Sequence, residues 1–144
     1  MLAFRPVSTI MTRDLITVSP SESLENIRNI FAEHKFHHIP VVVDREIVGI
    51  VSRSDVDFYV NGANLAGEER KLQYTQAKDI MTSGMAKLEP GDRINVALEV
   101  FMINRFHALP VVENGELVGI VTPYDIMRAL LDEKPAEAHL AYDE

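Results

Sequence analysis

The chain has 144 residues, 47% of them hydrophobic and 25% charged, which is typical of a globular protein with one sizeable core. The absence of cysteine excludes disulfides, thiolate metal sites and a cysteine nucleophile. A formal net charge of −8 disfavours binding to nucleic acid through a general basic surface.

No part of the sequence suggests export or membrane insertion. The N-terminal stretch MLAFRPVSTIMTR lacks the pattern of a secretory signal. The longest apolar runs, such as IPVVV, are far too short to span a bilayer. We therefore expect a cytoplasmic protein that binds neither membranes nor nucleic acid.

The first elements along the chain are a short strand and a helix. The apolar stretch LITV, residues 15–18, predicts a short strand before a turn at Pro20. A helix is predicted next because apolar side chains recur at helical spacing, at Leu24, Ile27, Ile30 and Phe31.

A hairpin and a second helix follow. The β-branched runs HIPVVV and EIVGIVS are separated by Asp44-Arg45, which is a weak turn signal by itself. After the second run, Ser52-x-x-Asp55 is typical of a helix N-terminus with Ser52 as its N-cap. The predicted order is therefore strand, helix, strand, strand, helix.

The whole pattern occurs twice. Residues 10–55 align with residues 80–125 without a gap, and 16 of these 46 positions are identical. The shared landmarks include IMT, FH, PVV and VGIV. Self-similarity of this kind predicts two copies of one structural unit.

The second copy carries the clearer local signals. The stretch MAKL, before Pro90, corresponds to the first predicted strand. Asn114-Gly115 is the strongest two-residue hairpin turn, and Pro123 suits the first position of the last helix. The first helix of this copy is predicted from Ile94, Ala97, Leu98 and Phe101.

The predicted fold class is α/β (α+β), with two β-α-β-β-α repeats packed about a pseudo-twofold axis. A repeat of about 50 residues would bury too little surface alone, so the two copies should share one core and leave two related clefts between them. The predicted division is repeat 1 with the N-terminal segment at 1–62, a linker at 63–77, repeat 2 at 78–131 and an acidic C-terminal tail at 132–144.

The two Ser/Thr-x-x-Asp motifs have two compatible interpretations. Ser52 and Thr122 can each cap a helix by accepting a hydrogen bond from the backbone N–H three residues on. A helix N-terminus also attracts anions, and Asp55 or Asp125 could accept two hydroxyl hydrogen bonds from a ribose. The glycine three residues before each cap would let a ligand approach the backbone closely.

The ordered set IMT, Pro20, FHHIPVVV and VGIVSRSD, repeated as IMT, Pro90, FHALPVVE and VGIVTPYD, resembles the tandem CBS-domain pair, or Bateman module. The resemblance covers residues 7–131. It implies a non-catalytic regulatory module that binds AMP, ADP, ATP or S-adenosylmethionine in its clefts and requires no cofactor. It also implies a homodimer that regulates a separate partner.

By this resemblance, Asp55 and Asp125 would each bind ribose hydroxyls in one of the two clefts. The cleft that holds Asp55 would also contain Ile50, Ser52, Arg53, His37, His38, Thr82, Ala86, Lys87, Phe106 and His107. The cleft that holds Asp125 would also contain Ile120, Thr122, His107, Ala108, Thr12, Ile16, Thr17, Phe36 and His37.

The two copies differ where the resemblance places phosphate contacts. The position two before the hairpin proline is His38 in the first copy and Ala108 in the second, and Pro123 replaces Arg53. We therefore expect the Asp55 cleft to bind the phosphorylated end of a nucleotide better. The other cleft is expected to be weak, empty or suited to a less charged adenosyl ligand.

Four further side chains have structural interpretations. Met11 and Met81 each lie between an apolar residue and Thr, which is typical of packing or of a cleft wall. Lys35 and Arg105 follow the first helix of each copy, where a cation complements the helix dipole.

Other classes of function are alternatives. The repeat could serve only as an interaction scaffold with empty clefts. A structural metal at the histidines is disfavoured because His37 and His38 are adjacent on a predicted strand and no carboxylate pattern of metal spacing accompanies them. An enzyme is disfavoured because the sequence has no P-loop, GxSxG or HExxH motif.

Overall fold

The computed structural model describes residues 1–63, 69–104 and 106–133, and each repeat contains two helices around a β-hairpin. Repeat 1 consists of α1 (Leu24–Glu33), β1 (His38–Val43), β2 (Glu46–Ser52) and α2 (Arg53–Ala63). The connection contains α3 (Glu69–Tyr74) and α4 (Ala77–Ile80). Repeat 2 consists of α5 (Ile94–Asn104), β3 (Leu109–Glu113), β4 (Glu116–Val121) and α6 (Pro123–Asp132).

Both hairpins close with the same type of two-residue turn. Asn114 and Gly115 have φ values of 53° and 80°, as the primed turns of tight hairpins require. Asp44 and Arg45 adopt 49° and 69°, although neither is a glycine. The strong and the weak hairpin predictions are both confirmed, and two antiparallel ladders result, β1 with β2 and β3 with β4.

The predicted first strand of each repeat is reduced to a single bridging residue. Val18 forms a parallel bridge with Val41, and Leu88 forms one with Val111. The backbone N–H of Val18 donates to Pro40 O at 3.0 Å, and its carbonyl accepts from Val42 N at 2.9 Å. Two residues later the chain reaches a proline, which cannot donate to a ladder, so the pairing does not extend.

The leading segment of each repeat pairs with the hairpin of the other repeat. The backbones of Thr12 and Ile120 exchange hydrogen bonds of 2.8 and 3.0 Å. Thr82 and Ile50 exchange two hydrogen bonds of 2.9 Å. The repeats are therefore joined by backbone ladders as well as by apolar contacts.

Glycines allow each leading segment to pack closely against the hairpin of the other repeat. A Cβ at Gly119 would lie 2.6 Å from Met11 Sδ and 3.1 Å from the Thr12 carbonyl oxygen. A Cβ at Gly49 would lie 2.8 Å from Met81 Cγ. The sequence predicts that each of these glycines leaves space for a ligand. A methionine of the opposite repeat fills that space instead, because the leading segment of that repeat passes there. The interpretation of both methionines as packing side chains is confirmed.

The expected single core is divided into three apolar clusters. The cluster of repeat 2 includes Leu2, Val7 and Met11 from the N-terminal segment. The cluster of repeat 1 includes Ala77 from α4. A third cluster lies between the hairpins and contains Ile47, Ile50, Ala108 and Ile120. Each repeat's core is therefore completed by a segment from elsewhere in the chain, and the third cluster joins the two.

Helix α5 buries less of its apolar surface than the sequence suggests. Ile94 and Ala97 are fully buried, as predicted, but Leu98 is 40% exposed. The last turn adds Met102 and Ile103, which are 82% and 77% exposed. The helix therefore has apolar side chains on both its inner and its outer faces. None of the described helices combines the length and apolarity needed to cross a bilayer.

The structure contains one element that the predicted division of the chain does not include. Helix α3 lies within the stretch that the sequence assigns to a linker, and it contacts α1 and α2. The predicted acidic tail, from residue 134 onward, lies outside the described residues, as does Arg105.

Candidate functional site

Both Ser/Thr-x-x-Asp motifs form reciprocal caps at helix N-termini. In repeat 1, Asp55 N donates to Ser52 Oγ at 3.0 Å, and Ser52 N donates to Asp55 Oδ2 at 3.3 Å. In repeat 2, the corresponding bonds join Thr122 and Asp125 at 3.2 and 3.0 Å. The cap therefore uses one carboxylate oxygen of each aspartate and leaves the other for a further interaction.

The second carboxylate oxygen differs between the repeats. Asp125 Oδ1 accepts a hydrogen bond of 3.2 Å from the hydroxyl of Thr12, which belongs to the opposite repeat. Asp55 Oδ1 makes no hydrogen bond with the described part of the chain, and Thr82 lies in the same cleft. Among the described residues, a side-chain hydrogen bond between the repeats therefore bridges the Asp125 cleft but not the Asp55 cleft.

The Asp55 cleft is a cavity of about 550 Å³ between the repeats. Eight of the residues predicted for it line the cavity beside Asp55: His37, His38, Ile50, Ser52, Arg53, Thr82, Phe106 and His107. The remaining lining residues are Ser54, Asp57, Met85 and Ala108. Both repeats contribute to its wall, as the pseudo-twofold arrangement predicts.

The Asp125 cleft is a cavity of about 700 Å³ related to the first by the repeat. Seven of its predicted residues line it beside Asp125: Thr12, Ile16, Phe36, His37, His107, Ile120 and Thr122. The remaining lining residues are Asp14, Leu15, Lys35, His38, Pro123, Tyr124 and Arg128. Both cavities fall within the size range of small-molecule sites.

Four predicted lining residues lie elsewhere. Thr17, Ala86 and Lys87 line neither cleft. Ala108 is predicted for the Asp125 cleft but lines the Asp55 cleft. Ala86 packs against the core of repeat 2, one residue away from the cleft wall formed by Met85.

Three histidines lie between the two clefts. His37, His38 and His107 line both cavities. His37 directly precedes β1, which begins at His38. Burial lowers the pKa of His38 to about 4, and repulsion from His37 and His107 adds to this effect against a smaller attraction by Asp55. His38 is therefore neutral near pH 7.

Arg53 is held by the backbone of its own repeat. Its Nη2 donates to the carbonyl oxygens of His34 and Phe36 at 2.8 and 2.9 Å, and its guanidinium lies 4.9 Å from the ring centre of Phe31. These contacts fasten the end of α1 to the start of α2. Two of the five guanidinium N–H donors that could serve a phosphate are therefore used within the protein.

Two cations of the Asp125 cleft were not identified from the sequence. Lys35 and Arg128 line this cavity, and neither makes a hydrogen bond or ion pair with the described residues. Lys35 was interpreted as a helix-end cation, whereas Arg128 lies three residues beyond Asp125 on α6. The i, i+3 spacing from Asp125 was an available signal, because side chains so spaced share a helix face.

The described residues contain no group of three or more histidine or acidic side chains arranged to hold a metal ion. The clefts instead combine apolar walls, an aspartate at a helix N-terminus and a few charged side chains. Such a site can surround a flat apolar group and hydrogen-bond the hydroxyls attached to it.

Solved structures share this fold. An uncharacterized conserved protein from Pyrococcus horikoshii matches with a TM-score of 0.78 and 23% identity, covering 93% of this chain and 98% of that chain. CBSX2 in complex with AMP matches with a TM-score of 0.74 and 28% identity, covering 88% of this chain and 96% of that one.

Curated relatives are longer than this chain. Inosine-5'-monophosphate dehydrogenase from Korarchaeum cryptofilum is 38% identical over 125 residues, which are 86% of this chain and 24% of the relative. The uncharacterized protein MJ1225 from Methanocaldococcus jannaschii is 28% identical over 85% of this chain and 46% of its own length. The chain therefore spans between about a quarter and about a half of these relatives.

A family model agrees with the division into repeats. The model described as CBS domain matches residues 7–62 and again residues 77–132. Each match contains one hairpin and the helices on either side of it. The chain therefore belongs to the CBS-domain family, as a tandem pair of its domains.

Proposed function

We propose that the chain is a non-catalytic regulatory module that binds an adenosyl ligand between its repeats and controls a separate partner protein. The ligand class comprises AMP, ADP, ATP and S-adenosylmethionine. The observation that carries the proposal is the aspartate in each cleft. The helix cap uses one carboxylate oxygen of this aspartate and does not use the other. This oxygen can accept hydroxyl hydrogen bonds from a ribose.

The walls of the clefts suit the rest of such a ligand. In the Asp55 cleft, Ile50 and Met85 supply apolar surface for a base, and Phe106 adds an aromatic ring. In the Asp125 cleft, Ile16 and Phe36 supply comparable surface. CBSX2, which has a similar fold and 28% identity, was solved with AMP. This similarity supports an adenosyl group as the common element.

Regulation would follow from the way in which the repeats share each cleft. A ligand that touches Asp55 of repeat 1 and Thr82 of repeat 2 would bind best at one particular separation of the repeats. It could shift the shape of the module only by the difference between its affinities for two shapes. No catalytic step is assigned to any residue, because the aspartates hold caps and the histidines line the space between the clefts.

The proposal is tested by thermal unfolding of the purified chain with AMP, ADP, ATP and S-adenosylmethionine. A ligand that binds the folded state raises the melting temperature as its concentration rises. Mass spectrometry of small molecules released from the purified protein identifies a bound ligand directly. If all four compounds leave the melting temperature unchanged at millimolar levels and nothing is released, the chain acts as a ligand-free scaffold.

We further propose that the module forms a homodimer through repeat 2. The α5/α6 apolar surface consists of Leu98, Met102, Ile103, Met127, Leu130 and Leu131, all of which are at least 40% exposed. Helices α5 and α6 contact each other, so the surface spans both. The positions 70 residues earlier are mostly polar or charged: Arg28, Ala32, Glu33, Asp57, Val60 and Asn61.

A second copy of the same surface is the occupant that fits best. The six side chains are 40–86% exposed on two adjacent helices, and a contiguous apolar patch of this kind is typical of a protein interface. Pairing with the charged helices of repeat 1 would desolvate Arg28, Glu33 and Asp57 against apolar groups. A twofold contact of repeat 2 with repeat 2 avoids this cost.

A further inference from the structure

The charged side chains of the two clefts differ more than their shapes do. The three histidines line both cavities, so they do not distinguish one cleft from the other. The Asp55 cleft contains Arg53, Asp55 and Asp57 as its remaining charged groups. The Asp125 cleft contains Asp14, Lys35, Asp125 and Arg128. The second set has one more cation and the same number of acids.

The cations also differ in their availability. Arg53 donates twice to backbone carbonyls and stacks over a phenylalanine ring, so a ligand would have to compete with those contacts. Lys35 and Arg128 are exposed and have no hydrogen-bonding or ionic partner among residues 1–63, 69–104 and 106–133. A phosphate could therefore gain charge-assisted hydrogen bonds from both without breaking an existing bond.

Space for a phosphate also exists beside Arg128. A groove of about 940 Å³ between the N-terminal segment and α6 shares Thr12, Asp125 and Arg128 with the Asp125 cleft. Arg5 lines this groove near its other wall, and Asp132 and Glu133 line it as well. A ligand whose ribose lies at Asp125 could thus extend past Arg128, although the two acids disfavour a long anionic chain.

We propose that the Asp125 cleft takes the phosphorylated adenosine, with Arg128 and Lys35 as the residues that select it. The Asp55 cleft then takes an adenosyl ligand that carries no phosphate. This assignment rests on the proposed adenosyl function, and it reverses the order of the clefts that the sequence suggests. The reversal follows from the contacts of Arg53 and from the position of two cations that lie far apart in the sequence.

The test compares AMP with adenosine, which differ only in the phosphate, by calorimetric titration of the full chain. Arg128→Gln combined with Lys35→Gln should weaken AMP binding about tenfold, as expected for the loss of partly exposed charge-assisted hydrogen bonds. Adenosine binding should stay unchanged. Arg28→Gln is the matched control, because it removes an exposed cation of α1 that lines neither cleft.

Two aspartate variants locate the nucleotide. Asp125→Asn should weaken AMP binding more than Asp55→Asn does. The assignment is overturned if the order is reversed, or if the double cation variant leaves the ratio of AMP to adenosine affinity unchanged. If wild-type protein binds neither compound, this assignment fails. The adenosyl function itself fails only if ADP, ATP and S-adenosylmethionine do not bind either. If AMP still binds and only the variants behave otherwise, the assignment alone is wrong.

Discussion

The two repeats share the same turns, caps and close backbone contacts, and they differ in the side chains around these features. Both have a primed hairpin turn, a reciprocal cap and a glycine under a crossing methionine. Repeat 1 has charged outer helices and an arginine, Arg53, that donates to backbone carbonyls. Repeat 2 has an apolar outer surface and an arginine, Arg128, with no hydrogen-bonding or ionic partner among the described residues. The features that hold the fold together are thus the same in both copies, while the outer surface and the charged side chains of the clefts differ.

The largest expected effect concerns the outer helices. Leu131→Lys should weaken the dimer about 100-fold, because a twofold interface would bury the new charge twice. Asn61→Lys is the control at the equivalent position of repeat 1 and should leave the dimer intact. Sedimentation equilibrium of both variants and of wild-type protein measures the dissociation constant.

Two outcomes would contradict the proposed arrangement. Wild-type protein that remains monomeric at tens of micromolar would exclude the dimer under physiological conditions. Equal dissociation of both lysine variants would show that repeat 1 also contributes to the interface.

Gly49 and Gly119, which lie against the methionines of the opposite repeats, should differ in their tolerance of a methyl group. Gly119→Ala should reduce the free energy of unfolding by about 2 kcal/mol, because the new Cβ meets a backbone oxygen of Thr12 as well as Met11. Gly49→Ala should cost about half as much, since its three nearest contacts are all atoms of the Met81 side chain rather than backbone. Urea denaturation measures both values.

Gly91→Ala serves as the control, because nothing lies within 4 Å of a Cβ there and its φ is not positive. If Gly49→Ala proves the more damaging of the two crossing variants, the backbone oxygen of Thr12 is not the limiting contact.

A smaller difference should separate His38 from Ala108, which occupies its place in repeat 2. The folded state holds the pKa of His38 at about 4, below the ordinary 6.5. The unfolded chain therefore binds more protons between these values, so stability is full above pH 6.5 and falls as the pH drops toward 4. The loss should be on the order of 1 kcal/mol at pH 5, after allowance for solvent near the partly buried ring.

His38→Ala makes repeat 1 resemble repeat 2 at this position and removes this contribution. Urea denaturation at pH 7.5 and pH 5 should show a smaller loss for the variant than for wild-type protein. Identical losses would mean that the imidazole titrates normally in the folded chain.

The smallest expected effect concerns the bond between the leading segment and α6. Thr12→Val removes the hydroxyl that donates to Asp125 and should cost about 0.5 kcal/mol more than Thr82→Val, whose hydroxyl makes no such bond. Chemical denaturation of the two variants in parallel gives the difference. Equal costs would show that water replaces the hydroxyl at no loss.

Features specified by neighbouring residues could be predicted from the sequence. The caps at Ser52 and Thr122 depend on a residue three positions away, and the turn at Asn114-Gly115 depends on two residues. The shared clefts followed from the repeat, which also indicated the weaker turn at Asp44-Arg45. Family resemblance then identified the cleft aspartates as candidate ribose ligands, which remains a prediction.

Features set by distant parts of the chain could not be predicted in this way. Nothing near Arg53 in the sequence indicates that its guanidinium reaches two carbonyls at the end of α1. Lys35 and Arg128 meet in one cavity although 93 positions separate them in the sequence.

The crossing of the leading segments has a consequence for the repeat as an independent unit. The segments at Thr12 and Thr82 pair with the hairpin of the opposite copy, whereas Val18 and Leu88, further along the same segments, pair with the hairpin of their own copy. Two separate copies could exchange these segments with each other and close a symmetric pair, as in domain swapping. In this chain the stretch that contains α3 and α4 connects the two copies, so the exchange occurs within one molecule. Neither half can therefore complete its fold before the other has been synthesised.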